Sequence, residues 1–464
     1  MENIKKLFGA QDMTVGRPLV NLATFAIPLL IGNLAQTLYN TVDTIVVGKY
    51  VGVNALAAVG TAGPILNLLL LLFMGISTGA SILVAQYFGA QRHRELSSAV
   101  GTCLTLTAIA SVFIMIVGPL ITRPLMTLLK TPEEVFDMAV AYLNIICIGI
   151  IGGGYYNIVS GVLRGMGDSI SPLIFLIVAC VLNIFLDILF VARFGMTADG
   201  VALATVIAQG VSAVLCLWRL SHMGDSLKLT RGSLVPDREM TRETVRLGLP
   251  SGLTQAIFSM AAIVVQALTN SFGPVVMACS VVVMRVDGFA MMPNFTFGMA
   301  MTTFVGQNVG ARRLDRVHEG VREGIRAGLV ISVVLVAAIL LFGRNLMELF
   351  TREDEKDVVE LGVHMLRILA LGYIAMAVTQ SLSGVMRGAG DTMTPMWISI
   401  ITTVIIRMPL AYGIAYFTRS ELQPNGTPDS LYISLLISWV MGALITAAFY
   451  RRGKWKDKAV VKEA

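Results

Sequence analysis

Twelve stretches of about twenty or more mostly apolar residues follow one another along the chain, far more than a water-soluble domain can bury. They fall at about 19–48, 55–88, 98–122, 136–163, 170–193 and 199–220. A second set lies at about 244–271, 276–306, 325–347, 358–386, 393–418 and 430–450. Each is long enough to cross the roughly 30 Å hydrocarbon core as a helix. Backbone polar groups find no water there, so the crossing segments must satisfy their own hydrogen bonds. Charge agrees with hydropathy: 14% of the 464 residues are charged, against about 25% in ordinary soluble domains. The expectation is an all-α polytopic membrane protein with 12 transmembrane helices.

The net charge of +6 is explained by its placement, without any nucleic-acid partner. With a cytoplasmic N-terminus, most Lys and Arg fall in loops and tails on that side. These include Arg92 and Arg94, the stretch Arg219 to Arg246, Arg312 to Arg326, and the tail Arg451 to Lys462. That is the positive-inside pattern, and it predicts a multi-pass protein of the inner (plasma) membrane with both termini cytoplasmic. Met1–Gly16 is polar, and the apolar segment after Pro18 lacks a small-residue cleavage pattern, so no cleavable signal peptide is expected. Cys103, Cys147, Cys180, Cys216 and Cys279 lie inside apolar segments without paired spacing and read as small core residues.

The chain repeats itself. Ser160-Gly-Val-Leu-Arg-Gly-Met-Gly-Asp-Ser-Ile-Ser-Pro172 returns as Ser383-Gly-Val-Met-Arg-Gly-Ala-Gly-Asp-Thr-Met-Thr-Pro395, with eight of thirteen positions identical. Val84-Ala-Gln-Tyr-Phe-Gly-Ala-Gln-Arg returns as Val305-Gly-Gln-Asn-Val-Gly-Ala-Arg-Arg313, and Pro28 is matched by Pro250. All three matches share an offset of about 222 residues, which identifies a duplication. Six crossings per half is an even number, so both halves begin on the same side of the membrane. The expected architecture is two six-helix lobes related by a pseudo-two-fold axis along the membrane normal. Residues 1–220 would form the first lobe, 221–241 a polar cytoplasmic connector, and 242–464 the second lobe with its basic tail.

Ionisable residues inside crossings are costly, roughly 2.5–3.5 kcal/mol for an Asp at mid-membrane on insertion scales, and their retention points to function. Asn33, Gln36, Asn40 and Asp43 recur at helical spacing and make one polar stripe on the first crossing. Asn183 and Asp187 lie one turn apart on the fifth, and Thr205 and Gln209 one turn apart on the sixth. Oxygen donors of this kind suit a small hard cation such as Na⁺, and paired carboxylates suit a proton. Asp287 differs, because Arg285, Arg367 and Arg407 are also intramembrane, and a structural Asp287–Arg407 ion pair competes with a transport role.

The two Arg-Gly-x-Gly-Asp turns lack the lysine and the strand of a phosphate loop and read as tight turns in which Asp caps the next helix. An inner gate formed by both turns is the alternative. Methionines crowd the seventh and eighth crossings, where Met fills irregular cores and also lines adaptable binding surfaces. No metallohydrolase helix, nucleophile elbow or Walker sequence is present, so an enzyme is not expected.

Taken together, the twelve crossings, the duplicated halves, the Ser-Gly-Val-Leu/Met-Arg-Gly-x-Gly-Asp turns and Asn40-Thr-Val-Asp43-Thr followed by Ala55-Leu-Ala-Ala-Val-Gly60 resemble the multidrug and toxic compound extrusion (MATE) family. The resemblance covers essentially the whole chain. It implies a cation-coupled antiporter, driven by H⁺ or Na⁺, that exports cationic or amphipathic drugs by alternating access through a cleft between lobes. It implies a cation site at Asp43, Asn183, Asp187 and Thr205, and a first helix bent at Pro28. With the stripe residues Gln36 and Asn40 and with Gln209, it implies cavity positions at Tyr39, Tyr142 and Asn157. The seventh helix carries Gln255-Ala-Ile-Phe258-Ser259, and Ala370 to Gln380 of the tenth has no acid, a departure from the NorM-like branch that points to the DinF-like one. The family resemblance implies no cofactor beyond the coupling ion, membrane lipid as the surroundings, and a monomer. A flippase for a lipid-linked or lipid substrate is the rival reading, kept open by the intramembrane arginines. A non-transporting receptor is a weaker one.

Overall fold

The computed structural model describes residues 10–129, 131–224, 227–351, 355–421 and 423–461, and among them there are helices and turns but no strand. Twelve helices are long and apolar enough to cross a membrane. In chain order they are α1 Pro18–Val46, α2 Val53–Gly89, α3 His93–Leu128, α4 Glu133–Gly165, α5 Ile170–Arg193 and α6 Ala198–Ser221. They continue as α7 Arg238–Ser271, α8 Pro274–Gly310, α9 Leu314–Glu348, α10 Lys356–Gly388, α11 Met393–Phe417 and α12 Asp429–Arg451. The class and the number of crossings are those the hydropathy predicts. Ends run past the apolar stretches where a cap allows it. α7 begins at Arg238 because Asp237 Oδ1 accepts the Met240 N–H at 2.9 Å.

Among the described residues three places are wound as π-helix: Val47–Val51 after α1, Ile188–Arg193 at the end of α5, and Ile401–Arg407 in the middle of α11. Such segments insert a residue into the α ladder and recur at functional sites. Hydropathy gives no sign of them.

Packing divides the chain into two units, and the division does not follow the 221–241 connector. Unit 1 contains Ile27–Gly252 and the segment up to Met13, and unit 2 contains Thr14–Ala26 and Leu253 onward. Both crossover points lie beside the prolines inside α1 and α7, Pro28 and Pro250, where the helix ladder lacks one N–H. Before its proline, α1 belongs to unit 2. There Leu22 and Phe25 are buried, and the Leu19 N–H donates to Glu323 Oε2 at 2.8 Å. Arg313 and Arg316 also donate to the Thr14 and Gly16 carbonyls, at 2.8 and 2.9 Å. Before its proline, α7 belongs to unit 1, with Cys103 Sγ 3.7 Å from Thr244 Oγ1. The connector is itself fastened to α3. Thr105 Oγ1 donates to the Leu234 carbonyl at 2.6 Å, and the Asp237 N–H to Thr102 Oγ1 at 3.1 Å. The packing units thus divide within α1 and α7, and the polarity of the 221–241 connector does not report which helices it lies against.

The duplicated turns have the same construction twice. After α4 the Gly167 N–H donates to the Arg164 carbonyl and the Asp168 N–H to the Leu163 carbonyl. After α10 Gly390 and Asp391 repeat this on Arg387 and Met386, with all four bonds at 2.9 Å. Both glycines have positive φ, 87° and 97°, which an L side chain adopts with strain. Asp168 then accepts from the Ser171 N–H and Oγ at 2.9 and 2.7 Å, and Asp391 from the Thr394 N–H and Oγ1 at 3.1 and 2.7 Å. Only the first copy adds an ion pair, Arg219 Nε to Asp168 Oδ2 at 3.1 Å.

Close helix contacts are duplicated as well. A Cβ on Gly165 of α4 would stand 2.6 Å from the Ser81 carbonyl of α2, and one on Gly161 would stand 2.7 Å from the Ser77 carbonyl. The equivalent Gly384 and Gly388 of α10 lie equally tightly against Gly298 and Thr302 of α8. Between lipid-immersed helices, packing of this closeness takes the place of a hydrophobic drive.

Gly165→Val is expected to lower stability by at least about 1–3 kcal/mol, since the obstructing atoms are backbone. Gly60→Ala, whose Cβ meets nothing within 4 Å, is expected to leave stability unchanged or raised. Unfolding midpoints in detergent compare the two. By the same measurement, Asp391→Ala loses about 1 kcal/mol with its cap, and Asp168→Ala loses more because Arg219 is left without its carboxylate.

Candidate cation site

The site in unit 1 is built on the last turn of regular helix in α5. Asn183 and Asp187 follow one another by four residues, and both are fully buried. The π-segment Ile188–Arg193 starts directly after Asp187. With its amide oriented to satisfy both neighbours, Asn183 donates to Asp187 Oδ2 at 2.8 Å and accepts the Thr205 N–H of α6 at 3.2 Å. The Asn183 amide nitrogen position of the opposite orientation lies 3.4 Å from Thr205 Oγ1. Carboxylate, carboxamide and hydroxyl thus converge from two adjacent helices, a donor set of hard oxygens that fits Na⁺ and places a carboxylate for a proton. Among the described residues no cluster of three His, Cys, Asp or Glu exists.

Asp43 lies on α1, one turn before the π-segment Val47–Val51. Its side chain is outside the described residues. The backbone nevertheless carries a relation to the site: the π-segment after α1 packs on the π-segment after Asp187. Gln36 of the stripe and the neighbouring Tyr39 are half-buried, and Asn40 is exposed.

Of the remaining cavity residues, Tyr142 and Asn157 lie on α4 and Gln209 on α6. Asn157 Nδ2 donates to the Gly153 carbonyl at 2.8 Å, and its own carbonyl accepts Ser77 Oγ at 2.7 Å. Gln209 of α6 presses its side chain on Gly153 from the other side. A Cβ on Gly152 would be 2.8 Å from the Gly210 nitrogen. Asn157 and Gln209 therefore share one glycine seam. Tyr142 does not join them. It lies eleven residues, about 16 Å at 1.5 Å per residue, along α4 from Gly153. It is buried with Ala55, Leu143, Val201 and Ala202 in an apolar cluster.

Sequence reasoning missed the seam. Gly152-Gly-Gly154 inside a predicted helix was its signal, because three consecutive glycines oppose helix formation unless another backbone must come close. In unit 2, Asp287 and Arg407 come within electrostatic reach, but no ion pair within 4.0 Å closes between them. Asp287 Oδ1 and Arg407 Nε each remain enclosed without a hydrogen-bond partner.

Comparison with known proteins agrees with the duplication. The MatE family model matches twice, at residues 28–189 and 250–413, in the register of the repeat. A relative from Bacillus subtilis (strain 168), the probable multidrug resistance protein YoeA, is 30% identical over 451 residues, covering 95% of both chains. The probable multidrug resistance protein NorM of Thermotoga maritima is 25% identical, covering 95% of this chain and 94% of that one. Among solved structures, an outward-facing MATE transporter of the MOP superfamily superposes with TM-score 0.88 at 24% identity. That match covers 97% of this chain and 99% of the other. With both halves matched in register and a relative at 30% identity along nearly its full length, the chain belongs to the MatE family, the multidrug and toxic compound extrusion transporters.

Proposed function

We propose that this protein is a cation-coupled exporter of cationic or amphipathic drugs, working by alternating access in the plasma membrane with both termini in the cytoplasm. The observation that carries the reading is the fully buried Asn183–Asp187 pair joined to Thr205 across α5 and α6. A membrane protein keeps an enclosed carboxylate of this kind when an ion is to compensate it. The relatives called multidrug resistance proteins supply the substrate class. Basic residues concentrated in alternate loops supply the orientation.

In this scheme Asp187, with Asp43 on α1, holds negative charge while a cationic substrate is bound. An Na⁺ or H⁺ arriving from outside neutralises it, weakens the hold on the substrate and lets it leave outward. Asn183 fixes the carboxylate, and Thr205 supplies a further oxygen. A tenfold inward gradient of the coupling ion provides about 1.4 kcal/mol per ion, and the membrane potential adds about 2.3 kcal/mol per 100 mV only for each charge by which the incoming ions exceed the exported substrate. The π-segments beside the site give the helix ends room to rewind as the ion enters and leaves.

In reconstituted vesicles with separately imposed Na⁺ and pH gradients, Asp187→Asn is expected to reduce ethidium efflux at least about tenfold, at an unchanged unfolding midpoint. Efflux equal to wild type under both gradients would sink the assignment. Thr205→Val keeps the side-chain shape and removes one oxygen. It is expected to raise the half-saturating concentration of the coupling ion by about tenfold while maximal efflux is retained. A lipid-flipping signal in the same vesicles, without drug movement, would favour the flippase reading instead.

A further inference from the structure

Unit 2 holds an ionisable cluster of its own. Asp287 stands on α8, Tyr373 on α10, Arg407 at the end of the π-segment in α11, and Tyr432 on α12. The Asp287 carboxylate lies within electrostatic reach of both the Tyr373 hydroxyl and the Arg407 guanidinium, and Arg407 also lies within reach of Tyr432. None closes a hydrogen bond of standard geometry with its neighbour. Asp287 Oδ1, Tyr373 Oη and Arg407 Nε are all enclosed with no partner. Tyr432 is engaged elsewhere, donating to Ser280 Oγ at 2.9 Å, with Cys279 beside it. On α8 itself the nearest charge, Arg285, is exposed.

A packing device is built differently. A buried ion pair stabilises a protein only when it is in contact and its remaining donors and acceptors are satisfied, and each enclosed orphan costs about 1–3 kcal/mol. The duplication gives an internal control. At the offsets read from the matched stretches of α2 and α8, and of α4 and α10, the first-half counterparts of Asp287 and Tyr373 are Leu66 and Ile150. Arg407 ends a π-turn that α5 lacks at the matching place, so a constant offset gives it no counterpart. The positions of the carboxylate and the phenol are filled by apolar side chains in the first half, so the repeated fold does not require those two groups.

The ligand follows from the donor set. Two oxygen-bearing side chains beside a guanidinium do not make a metal site, because the guanidinium repels the ion and a hard cation needs several oxygens. A proton needs one lone pair, and Asp287 Oδ1 offers one. We propose that Asp287 is a proton-binding site of unit 2, taking its proton from the aqueous phase and returning it there, with Arg407 as fixed countercharge. With Asp287 ionised the cluster is neutral. With the proton bound, the positive charge of Arg407 is no longer balanced, which disfavours a cationic substrate nearby. The site is independent of the one at Asp187, and only its use in transport rests on the exporter reading.

The test uses the full-length protein in lipid vesicles and dicyclohexylcarbodiimide, which adds to protonated carboxyls in apolar surroundings, read by peptide mass spectrometry. Asp287 is expected to carry the adduct at acid pH. Labelling should fall by roughly tenfold per pH unit above the midpoint, be absent in Asp287→Asn and remain unchanged in Asp187→Asn. No adduct on Asp287 at any pH overturns the proposal. For transport, Asp287→Asn is expected to lose at least about tenfold of efflux driven by a pH gradient, and the charge-balanced Asp287→Asn/Arg407→Gln is expected not to regain it. Full efflux by the double variant would show a packing pair and overturn the transport role. Absence of drug efflux by the wild type under every gradient would sink the exporter reading alone, since labelling of Asp287 is measured without it.

Discussion

Helices immersed in hydrocarbon gain nothing by hiding apolar side chains from one another, so this protein depends on backbones coming close enough to touch. Gly161 and Gly165 bring α4 onto α2, and Gly384 and Gly388 bring α10 onto α8. Within unit 1, Gly152 and Gly153 set α4 against α6 at Gly210 and Gln209. The functional side chains inherit their positions from these seams. Asn157 bonds to Gly153, and α6 presents Thr205 to Asn183 one turn away from Gln209.

The duplication preserved the frame and let the chemistry diverge. Turn geometry, aspartate caps and glycine seams recur almost atom for atom in both halves. Even the left-handed residues Gln91 and Arg312 occupy equivalent turns. The buried polar groups do not recur. Asp287 and Tyr373 have the apolar Leu66 and Ile150 as first-half counterparts, and the π-turn that carries Arg407 has no equivalent at the matching place in α5. Unit 2 thus places a carboxylate and a phenol where unit 1 is apolar, on the same helical scaffold.

Much of this was readable from residues alone, for physical reasons. A hydrocarbon core about 30 Å thick writes its thickness into sequence as run length, so the twelve crossings were legible. Glycine and aspartate in the repeated turns announced both the reversal and the cap. One-turn spacing placed Asn183 with Asp187, and the parallel Thr205/Gln209 pair suggested the facing helix. The illegible features depend on which neighbour a face meets. The connector has the composition of a linker and is fastened to α3. The π-segments leave no mark in hydropathy, because Ile188–Arg193 and Ile401–Arg407 are as apolar as ordinary helix. Pro28 and Pro250 were visible as matched residues, but not as the places where a helix leaves one packing unit for the other.

That exchange has a consequence for biosynthesis. The first thirteen residues of the unit-2 share, Thr14–Ala26, leave the ribosome long before Glu323, Arg313 and Arg316, the residues that hold them. Unit 1 in turn is incomplete until Gly252 has been made. Nascent α1 must therefore wait in the bilayer, half-assembled, until translation has passed Glu323, well into the second half. The two halves cannot mature one after the other as separate products of an ancestral gene would.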